Sequence, residues 1–203
     1  QQVLEEQYQL RDKRRRGEIP NTVLMVEHPA VITLGARKTA NKLLADRNVL
    51  AQKNIDVAEV RRGGGITAHN PGQLVFYPIV NLRQLGLGIN EYVRKLEQIG
   101  IELLASLGVQ ACRRKAFPGL WVGEQPASKG ARDATQERQD TRKIASVGVR
   151  VSRFITHHGM AINIQNDLSI FELFVPCGLD GLEVTSVLKE TGRYYPMTQV
   201  KQI

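Results

Sequence analysis

The sequence predicts an α/β protein of the α+β type, in which helices flank a mixed and largely antiparallel sheet. Three observations support this prediction. Short β-rich segments recur along the chain, they do not alternate regularly with helices, and one long segment at 89–107 carries a helical apolar pattern. No internal repeat is evident, and a length of 203 residues suits a single domain spanning 1–203.

The first part of the chain predicts two helices and two short strands. Long and apolar side chains share one face of a predicted helix at 3–16, which ends at Gly17. Residues 22–27 are almost continuously apolar, so we expect a buried strand there, and 31–34 predicts a second strand. An apolar pattern of helical period predicts the second helix at 42–53.

The remainder of the chain predicts one long helix and a series of strands. The helix at 89–107 has Asn90 as its expected N-cap. Its apolar residues at helical spacing are Val93, Leu96, Ile99, Leu103 and Leu107. Strands are predicted at 74–80, 111–114, 119–123, 143–150 and 160–164. Residues 124–142 have mixed charge and no apolar periodicity, so we expect a mobile surface loop there.

The composition limits the kinds of partner. Lys and Arg number 28 against 20 acidic residues, a net charge of +8 that favours an acidic partner. Nucleic acid and an acidic carrier protein are both candidates, but aromatic residues are only 5% and do not interleave with the basic runs, which weakens single-strand stacking as a role. No apolar stretch approaches the roughly 18 residues of a membrane span. The charged N-terminal segment does not resemble a signal peptide and cysteines are few, so the expected location is the cytoplasm.

A glycine-rich segment at 61–65 is a candidate ligand-binding element. Gly63, Gly64 and Gly65 lack β-carbons, so main-chain N–H groups there could approach a ligand closely. The spacing matches neither the dinucleotide-binding nor the Walker pattern, and a plain hairpin turn remains an alternative. Arg61 and Arg62 could bind a carboxylate or phosphate, or could be solvated.

One cysteine is a candidate nucleophile. Cys177 follows Pro176 and precedes Gly178, which leaves the sulfur approachable, and Lys143 is a candidate for activating it. The alternative is a buried structural cysteine, and Cys112 is assigned to that class. The sequence has no Cys-x-x-Cys and no His-x-x-x-His pair, so no metal site is expected.

The histidines alone suggest little chemistry. His69 precedes a turn-forming Asn-Pro-Gly, and a lone histidine is more often structural than catalytic. The adjacent His157 and His158 would lie on opposite faces of a strand, so we do not expect them to bind one metal ion together.

Segments along nearly the whole chain resemble the lipoyl(octanoyl) transferases, the octanoyl-carrier-protein:protein N-octanoyltransferases. The matching segments are 26–35 (VEHPAVITLG), 62–69 (RGGGITAH), 71–73 (PGQ), 143–150 (KIASVGVR), 158–163 (HGMAIN), 174–178 (FVPCG) and 184–186 (VTS). This resemblance implies the fold of the biotin and lipoate protein ligases, and a single octanoyltransferase catalytic domain over 1–203. Asn70 stands where the family usually has glycine, and we expect the turn to survive because Asn tolerates left-handed backbone geometry.

The resemblance also implies a mechanism. Cys177 would accept an octanoyl group from octanoyl-acyl carrier protein as a thioester, and Lys143 would activate the thiol and later deprotonate the acceptor amine. The acceptors would be lysines on lipoyl domains of 2-oxoacid dehydrogenases and on the glycine cleavage H protein. No cofactor, no nucleic-acid partner and no membrane are implied.

The residues expected to form the acyl site come from three segments. They are Arg62, Gly63, Gly64, Gly65, Ile66, Thr67, Ala68 and His69 on one side, with Ser146, Val147, Gly148, Gly159, Met160 and Ala161 opposite. Main-chain N–H groups at Gly148 and Gly159 are candidates for holding the carbonyl oxygen as charge develops.

Other functions remain possible at this point. An ATP-dependent lipoate-protein ligase shares the fold, the glycine-rich segment and the strand lysine, but Cys177 and the 71–73 segment favour the transferase. A binding module without catalysis would dock an acidic protein or nucleic acid through the basic surface. A papain-like protease is rejected, because every histidine of this chain precedes Cys177.

Overall fold

A computed structural model describes residues 2–123, 141–176 and 181–203. Its strands are β1 (Thr22–Val26), β2 (Val31–Leu34), β3 (Asp56–Glu59), β4 (Thr67–His69), β5 (Gln73–Ile79), β6 (Cys112–Arg114), β7 (Phe117–Gly123), β8 (Thr141–Ser152) and β9 (Ile155–Asn163). Six of them form an antiparallel sheet in the order β1-β5-β9-β8-β7-β6. A smaller sheet, β3-β2-β4, contains one parallel pair, so the predicted mixed and largely antiparallel α+β fold is confirmed.

Helices flank both sheets. They are α1 (Gln2–Arg16), α2 (Arg47–Gln52), α3 (Leu82–Leu85), α4 (Ile89–Ser106), α5 (Val187–Thr191) and α6 (Met197–Val200), with 3-10 turns at Lys38–Ala40 and Leu168–Leu173. None of the helices in the described parts of the chain is both long and apolar enough to cross a membrane.

The larger sheet has two different faces. One face packs against α4 and forms the main hydrophobic core, to which Leu96, Leu120 and Ile162 contribute fully buried side chains. The other face contacts α1 through β5 and β9. A separate hydrophobic cluster lies around the smaller sheet and includes Ile32 and Phe174. The face of the larger sheet that is turned away from α4 is therefore the one available for a site.

The predicted buried strand at 22–27 is instead the edge strand β1. Among the described strands it pairs only with β5, and its burial alternates along the strand. Val23 and Met25 are 52% and 51% exposed. Because these residues are apolar, the sequence predicted a strand buried on both faces. In the structure β1 buries only one of its two faces.

The predicted helix at 42–53 is also shorter than expected. The helix occupies Arg47–Gln52, and Asp46 caps it by accepting a hydrogen bond from the Asn48 N–H at 2.7 Å. Leu43 forms an isolated β-bridge with Phe174 instead of joining the helix. The capping residue and this tertiary pairing override the helical apolar pattern.

The long helix was predicted at nearly the right bounds, and Leu96 and Leu107 are buried as expected, but other residues of the predicted apolar face are not. Its buried residues include Tyr92, Leu96, Gly100 and Leu104, whereas Ile99 is 53% exposed. Gly100 shifts the face, because a β-carbon there would lie 2.6 Å from Leu120 Cδ1. The expected cap Asn90 is wrong as well, since Gly88 is the N-cap.

The predicted mobile loop at 124–142 lies largely outside the described residues, at 124–140. Its last two residues are a correction. Thr141 and Arg142 begin β8, where they pair with Gly123 and Val122. The mixed charge of this segment hid the start of the strand.

Candidate active site

A cavity of about 860 Å³, within the size range of small-molecule sites, lies mainly on the sheet face that contacts α1, and Val93 of α4 also lines it. The glycine-rich segment and the smaller sheet form one wall, and β8 and β9 form another. The first turns of α1 contribute Val3, Leu4 and Gln7. The cavity therefore lies where segments that are distant in sequence meet.

Most of the site residues predicted from sequence line this cavity. They are Arg62, Gly63, Gly64, Gly65, Ile66, Thr67, His69, Lys143, Ser146, Val147, Gly148, Gly159 and Ala161. Ala68 and Met160 do not, and this corrects the prediction. Each lies between two lining residues on a strand, so its side chain points to the opposite face and into a hydrophobic core. Cys177 lies outside the described residues.

The glycine-rich segment packs directly against β8. The Gly63 N–H donates to the Val149 carbonyl at 3.0 Å, and a β-carbon at Gly148 would lie 2.9 Å from the Gly63 carbonyl oxygen. The segment connects β3 to β4, and both of these strands pair with β2. It is therefore not a simple hairpin turn, and its glycines serve close backbone approach.

Arg62 is an internal brace of this segment. The side chain is only 8% exposed, and its guanidinium donates to the Thr33 carbonyl at 2.8 Å and the Gly65 carbonyl at 2.6 Å. Arg61 is exposed, and its carbonyl accepts a hydrogen bond from Arg150 Nη1 at 3.0 Å. The solvated alternative is thus excluded for Arg62, which holds the wall of the cavity in shape.

Gly148 and Gly159 are cross-strand partners in the wall of the cavity. The N–H groups of strand residues lie in the plane of the sheet and point toward neighbouring strands. What these two glycines supply to the cavity is the absence of side chains, which differs from the oxyanion-binding role expected from sequence.

Replacing Gly159 with alanine is expected to destabilise the protein by about 3 kcal/mol or more. The added β-carbon would lie 2.1 Å from the Phe76 carbonyl oxygen, so β5 and β9 would have to separate. Urea denaturation of both proteins measures the change. Gly88→Ala is the control and should cost less than about 1 kcal/mol, because its nearest neighbour is a flexible Glu91 side chain. Equal stabilities for Gly159→Ala and wild type would contradict the geometry.

Lys143 faces the cavity although it is only 5% exposed. It pairs across the strands with Trp121, and its Nζ lies 5.2 Å from the centre of the indole ring. Gly119 borders the same side chain: a β-carbon there would lie 2.9 Å from Lys143 Cε. Gly119 has a φ of +122°, a backbone conformation that favours glycine.

A β-bulge directs Lys143 toward the cavity. Leu120 pairs with Ala145 while its neighbour Trp121 pairs with Lys143, so β8 carries one additional residue at this point. Ile144 and Ala145 consequently both point into the main core. Lys143 therefore shares the cavity face with Ser146, three positions away, although a regular strand would put them on opposite faces.

The main chain of Lys143 is bonded to the segment that follows Cys177. The Lys143 N–H donates to the Glu183 carbonyl at 2.9 Å, and the Thr185 N–H donates to the Lys143 carbonyl at 3.0 Å. On the other side of Cys177, the Val175 N–H donates to the Lys42 carbonyl at 2.9 Å. The chain is thus anchored both before and after the candidate nucleophile, and the second anchor is Lys143 itself.

All four histidines of the chain belong to one buried cluster with Tyr77. His28 Nε2 lies 2.7 Å from the Tyr77 hydroxyl, and the His28 and His69 rings are 5.4 Å apart. Burial lowers the pKa of His69 to about 3 and that of His158 to about 3, and it lowers the pKa of His157 to about 4. Burial also raises the pKa of the Tyr77 hydroxyl. The cluster is therefore an uncharged polar wall at neutral pH.

His157 and His158 do not lie apart as the sequence predicted. Their ring centres are 5.0 Å apart, because His158 has a φ of +56° and departs from regular strand geometry. Within the described residues, no group of three or more His, Cys, Asp or Glu side chains could hold a metal ion.

The turn at 70–73 is maintained, but Asn70 does not adopt the left-handed backbone conformation that was expected of it. The left-handed residue of the turn is Gly72, with a φ of +85°. Asn70 instead uses its side chain, which donates to the Asp167 carbonyl at 2.7 Å and accepts from Asn166 Nδ2 at 3.0 Å. The substitution thus ties the turn to the segment after β9 and does not reach the cavity.

Several cavity residues were missed by sequence reasoning. Trp121, Phe117, His28 and Tyr77 all line the cavity. His28 and Trp121 had a usable signal, because His28 lies within a family-like segment and Trp121 is the only tryptophan. Tyr77 lies in a strand that is buried along its whole length, and no feature of the sequence marked it as a cavity residue.

Comparisons with known proteins agree with this arrangement. The family model for the lipoyl protein ligase A/B catalytic domain matches residues 1–203. The octanoyltransferase of Koribacter versatilis is 38% identical over 194 residues, which cover 95% of this chain and 72% of that protein. The mitochondrial octanoyltransferase LIP2 of Arabidopsis thaliana is 38% identical over 195 residues, which cover 96% of this chain and 76% of that protein.

A solved structure gives the same picture for the fold. Lipoate-protein ligase A bound with ATP superimposes with a TM-score of 0.65 at 16% identity, covering 95% of this chain and 74% of that protein. At that identity the likeness concerns the fold alone. The chain belongs to the lipoyl protein ligase A/B catalytic-domain family, and within it to the octanoyltransferases, which are acyltransferases.

Proposed function

We propose that this chain transfers an octanoyl group from an acyl carrier protein to a lysine of lipoyl domains, through a thioester on Cys177. The octanoyltransferase relatives support acyl transfer in protein lipoylation as the general activity. We take 1–203 as one catalytic domain acting in the cytoplasm, without a cofactor. The acceptors are the lipoyl domains of 2-oxoacid dehydrogenases and the glycine cleavage H protein.

The observation that carries the proposal is the position of Lys143. This lysine faces an 860 Å³ cavity, and its main chain is hydrogen-bonded to the segment that follows Cys177. A thiol has an ordinary pKa of about 8.5, so only a small fraction is thiolate at neutral pH. A lysine beside the cysteine raises that fraction by electrostatic attraction, or accepts the proton directly.

In the first half-reaction the Cys177 sulfur attacks the thioester carbonyl of the donor. A new carbon–sulfur bond forms, the donor's carbon–sulfur bond breaks, and the donor leaves as a thiol that takes up the proton. One thioester replaces another, so the step requires no external energy source. The wall formed by His28, His69 and Tyr77 is neutral, so an uncharged acyl chain that packs against this side of the cavity meets no charged group there.

In the second half-reaction the acceptor amine attacks the Cys177 thioester. A carbon–nitrogen bond forms, Cys177 leaves as the thiolate, and a proton passes from the amine to Lys143. A free lysine amine has a pKa of about 10.4 and is mostly protonated, so an acceptor for its proton speeds this step.

Mass spectrometry of the intact protein tests the proposal. The protein is mixed with octanoyl-carrier protein without ATP, and an octanoyl adduct of about 126 Da that hydroxylamine removes is expected. Cys177→Ser should form no such adduct. The alternative is an ATP-dependent ligase. It would show no adduct, but would octanoylate a lipoyl domain when ATP and free octanoate are supplied.

A further inference from the structure

We propose that Trp121 is a positioning residue for Lys143, holding the lysine ammonium against its indole ring at the wall of the cavity. The proposal rests on the proposed function only for the task of Lys143. The contact itself is a property of the fold and can be measured without catalysis.

The first support is the contact between the two side chains. Trp121 and Lys143 are direct cross-strand partners, and the ammonium nitrogen lies 5.2 Å from the centre of the ring. Cations within about 6 Å of an aromatic ring centre are attracted by its electron-rich face, and the attraction grows when water is excluded. Here Trp121 is 0% exposed and Lys143 is 5% exposed, so little water intervenes.

The second support is that the ring itself is fixed. The indole Nε1 donates to the Phe117 carbonyl at 3.2 Å. The Arg114 guanidinium carbon lies 4.8 Å from the centre of the same ring, and Arg114 Nη1 donates to Thr141 Oγ1 at 2.9 Å. Arg114 is on β6 and Lys143 is on β8, the two strands on either side of β7. The two cations therefore reach the indole from opposite neighbours in the sheet.

The third support is the space left for the lysine stem. Gly119 borders it, since a β-carbon there would lie 2.9 Å from Lys143 Cε and 3.4 Å from Nζ. Gly119 is held by the buried Glu97, whose Oε1 accepts its N–H at 3.0 Å. A lysine side chain has four rotatable bonds and loses considerable conformational entropy when it is fixed. Trp121 and Gly119 remove that freedom before substrate arrives, which favours a defined position for the amine.

The test compares Trp121→Phe with Trp121→Leu. Both lose volume, but only phenylalanine keeps an aromatic face. Single-turnover acylation of Cys177 should stay within about 3-fold of wild type for Trp121→Phe and fall by about 10-fold or more for Trp121→Leu, as expected when a catalytic group loses its position. Melting temperatures identify losses that come from destabilisation.

A double-mutant cycle separates positioning from a general packing role. If Trp121 acts through Lys143, Trp121→Leu should have almost no further effect in a Lys143→Met background. Equal losses for the leucine and phenylalanine variants at equal melting temperature, or an undiminished effect in the Lys143→Met background, would overturn the proposal.

A fluorescence measurement covers the case in which Trp121→Leu does not fold or no acylation is observed. Trp121 is the only tryptophan of the chain, so its emission reports this contact directly. Lys143→Met should change the emission maximum or intensity, whereas Lys53→Met, an exposed lysine at the end of α2, should not. Unchanged emission in Lys143→Met would refute the contact whatever the outcome for acyl transfer.

Discussion

Lys143→Met is expected to slow acyl transfer by about two to four orders of magnitude, the usual contribution of a general acid–base group. Methionine keeps an unbranched side chain of similar length against Trp121, so the fold should persist. The measurement is single-turnover acylation by octanoyl-carrier protein, followed by transfer to a lipoyl domain. Lys53→Met is the matched control, because it removes the same charge from an exposed position.

The two half-reactions should respond differently to pH in this variant. Raising the pH supplies thiolate without help from Lys143, so acylation of Cys177 should recover in part above the ordinary thiol pKa of about 8.5. Transfer to the acceptor lysine should remain slow until its own amine deprotonates near pH 10. Wild-type rates for both steps in Lys143→Met would exclude Lys143 from the chemistry.

The second large effect is a loss of stability in mild acid. The pKa of His69 and of His158 is lowered to about 3, and that of His157 to about 4, in each case mainly by burial. Unfolded histidine has a pKa of about 6.5, so the unfolded chain binds more protons below that pH. The free energy of unfolding should therefore fall as the pH decreases from about 6.5 toward 4.

The size of this effect follows from linkage. Each such histidine contributes up to about 1.4 kcal/mol per pH unit inside its window, so three together approach about 4 kcal/mol per unit. Urea denaturation at several pH values between 7 and 4.5 measures the slope. The pKa values of Glu27 and Glu190 are also lowered, through their hydrogen bonds to Lys201 and Arg142, but these carboxylates lose their contribution at lower pH.

A variant identifies the source of the slope. His157→Phe keeps a ring beside Tyr8 and removes one titrating group, so its stability should fall less steeply with acid than that of the wild type. A slope that is the same in both proteins would mean that His157 is already charged in the folded state or that other groups dominate.

The sequence predicted the fold class and most of the cavity lining because those features are local. Glycines at 63–65 mark close backbone approach wherever they are placed, and a lysine within an apolar strand is unusual enough to be noticed. Strand alternation then explains why Ala68 and Met160 were wrongly included. Runs of consecutive residues were assigned to the site. On β8 the residues from Ser146 to Gly148 all line the cavity, whereas Ala68 on β4 and Met160 on β9 point to the opposite face.

The features that were missed depend on tertiary pairing. Edge strands and central strands can have the same apolar composition. The exposure of Val23 and Met25 could therefore not be predicted from the sequence. The contribution of Tyr77 arises only when β5 brings it beside His28. The buried face of α4 was misjudged because Gly100, an apparently neutral position, fits closely against Leu120.

The additional residue in β8 implies that this strand sets the position of Lys143 and the packing of the core separately. Deleting Ile144 would leave Lys143 two residues before Ser146, which is the spacing that places both side chains on one face of a regular strand. Lys143 would keep its pairing with Trp121, and the bulge would disappear. The loss would fall on the main core, where Ile144 is fully buried. A shortened β8 should therefore keep its amine at the cavity and lose stability instead.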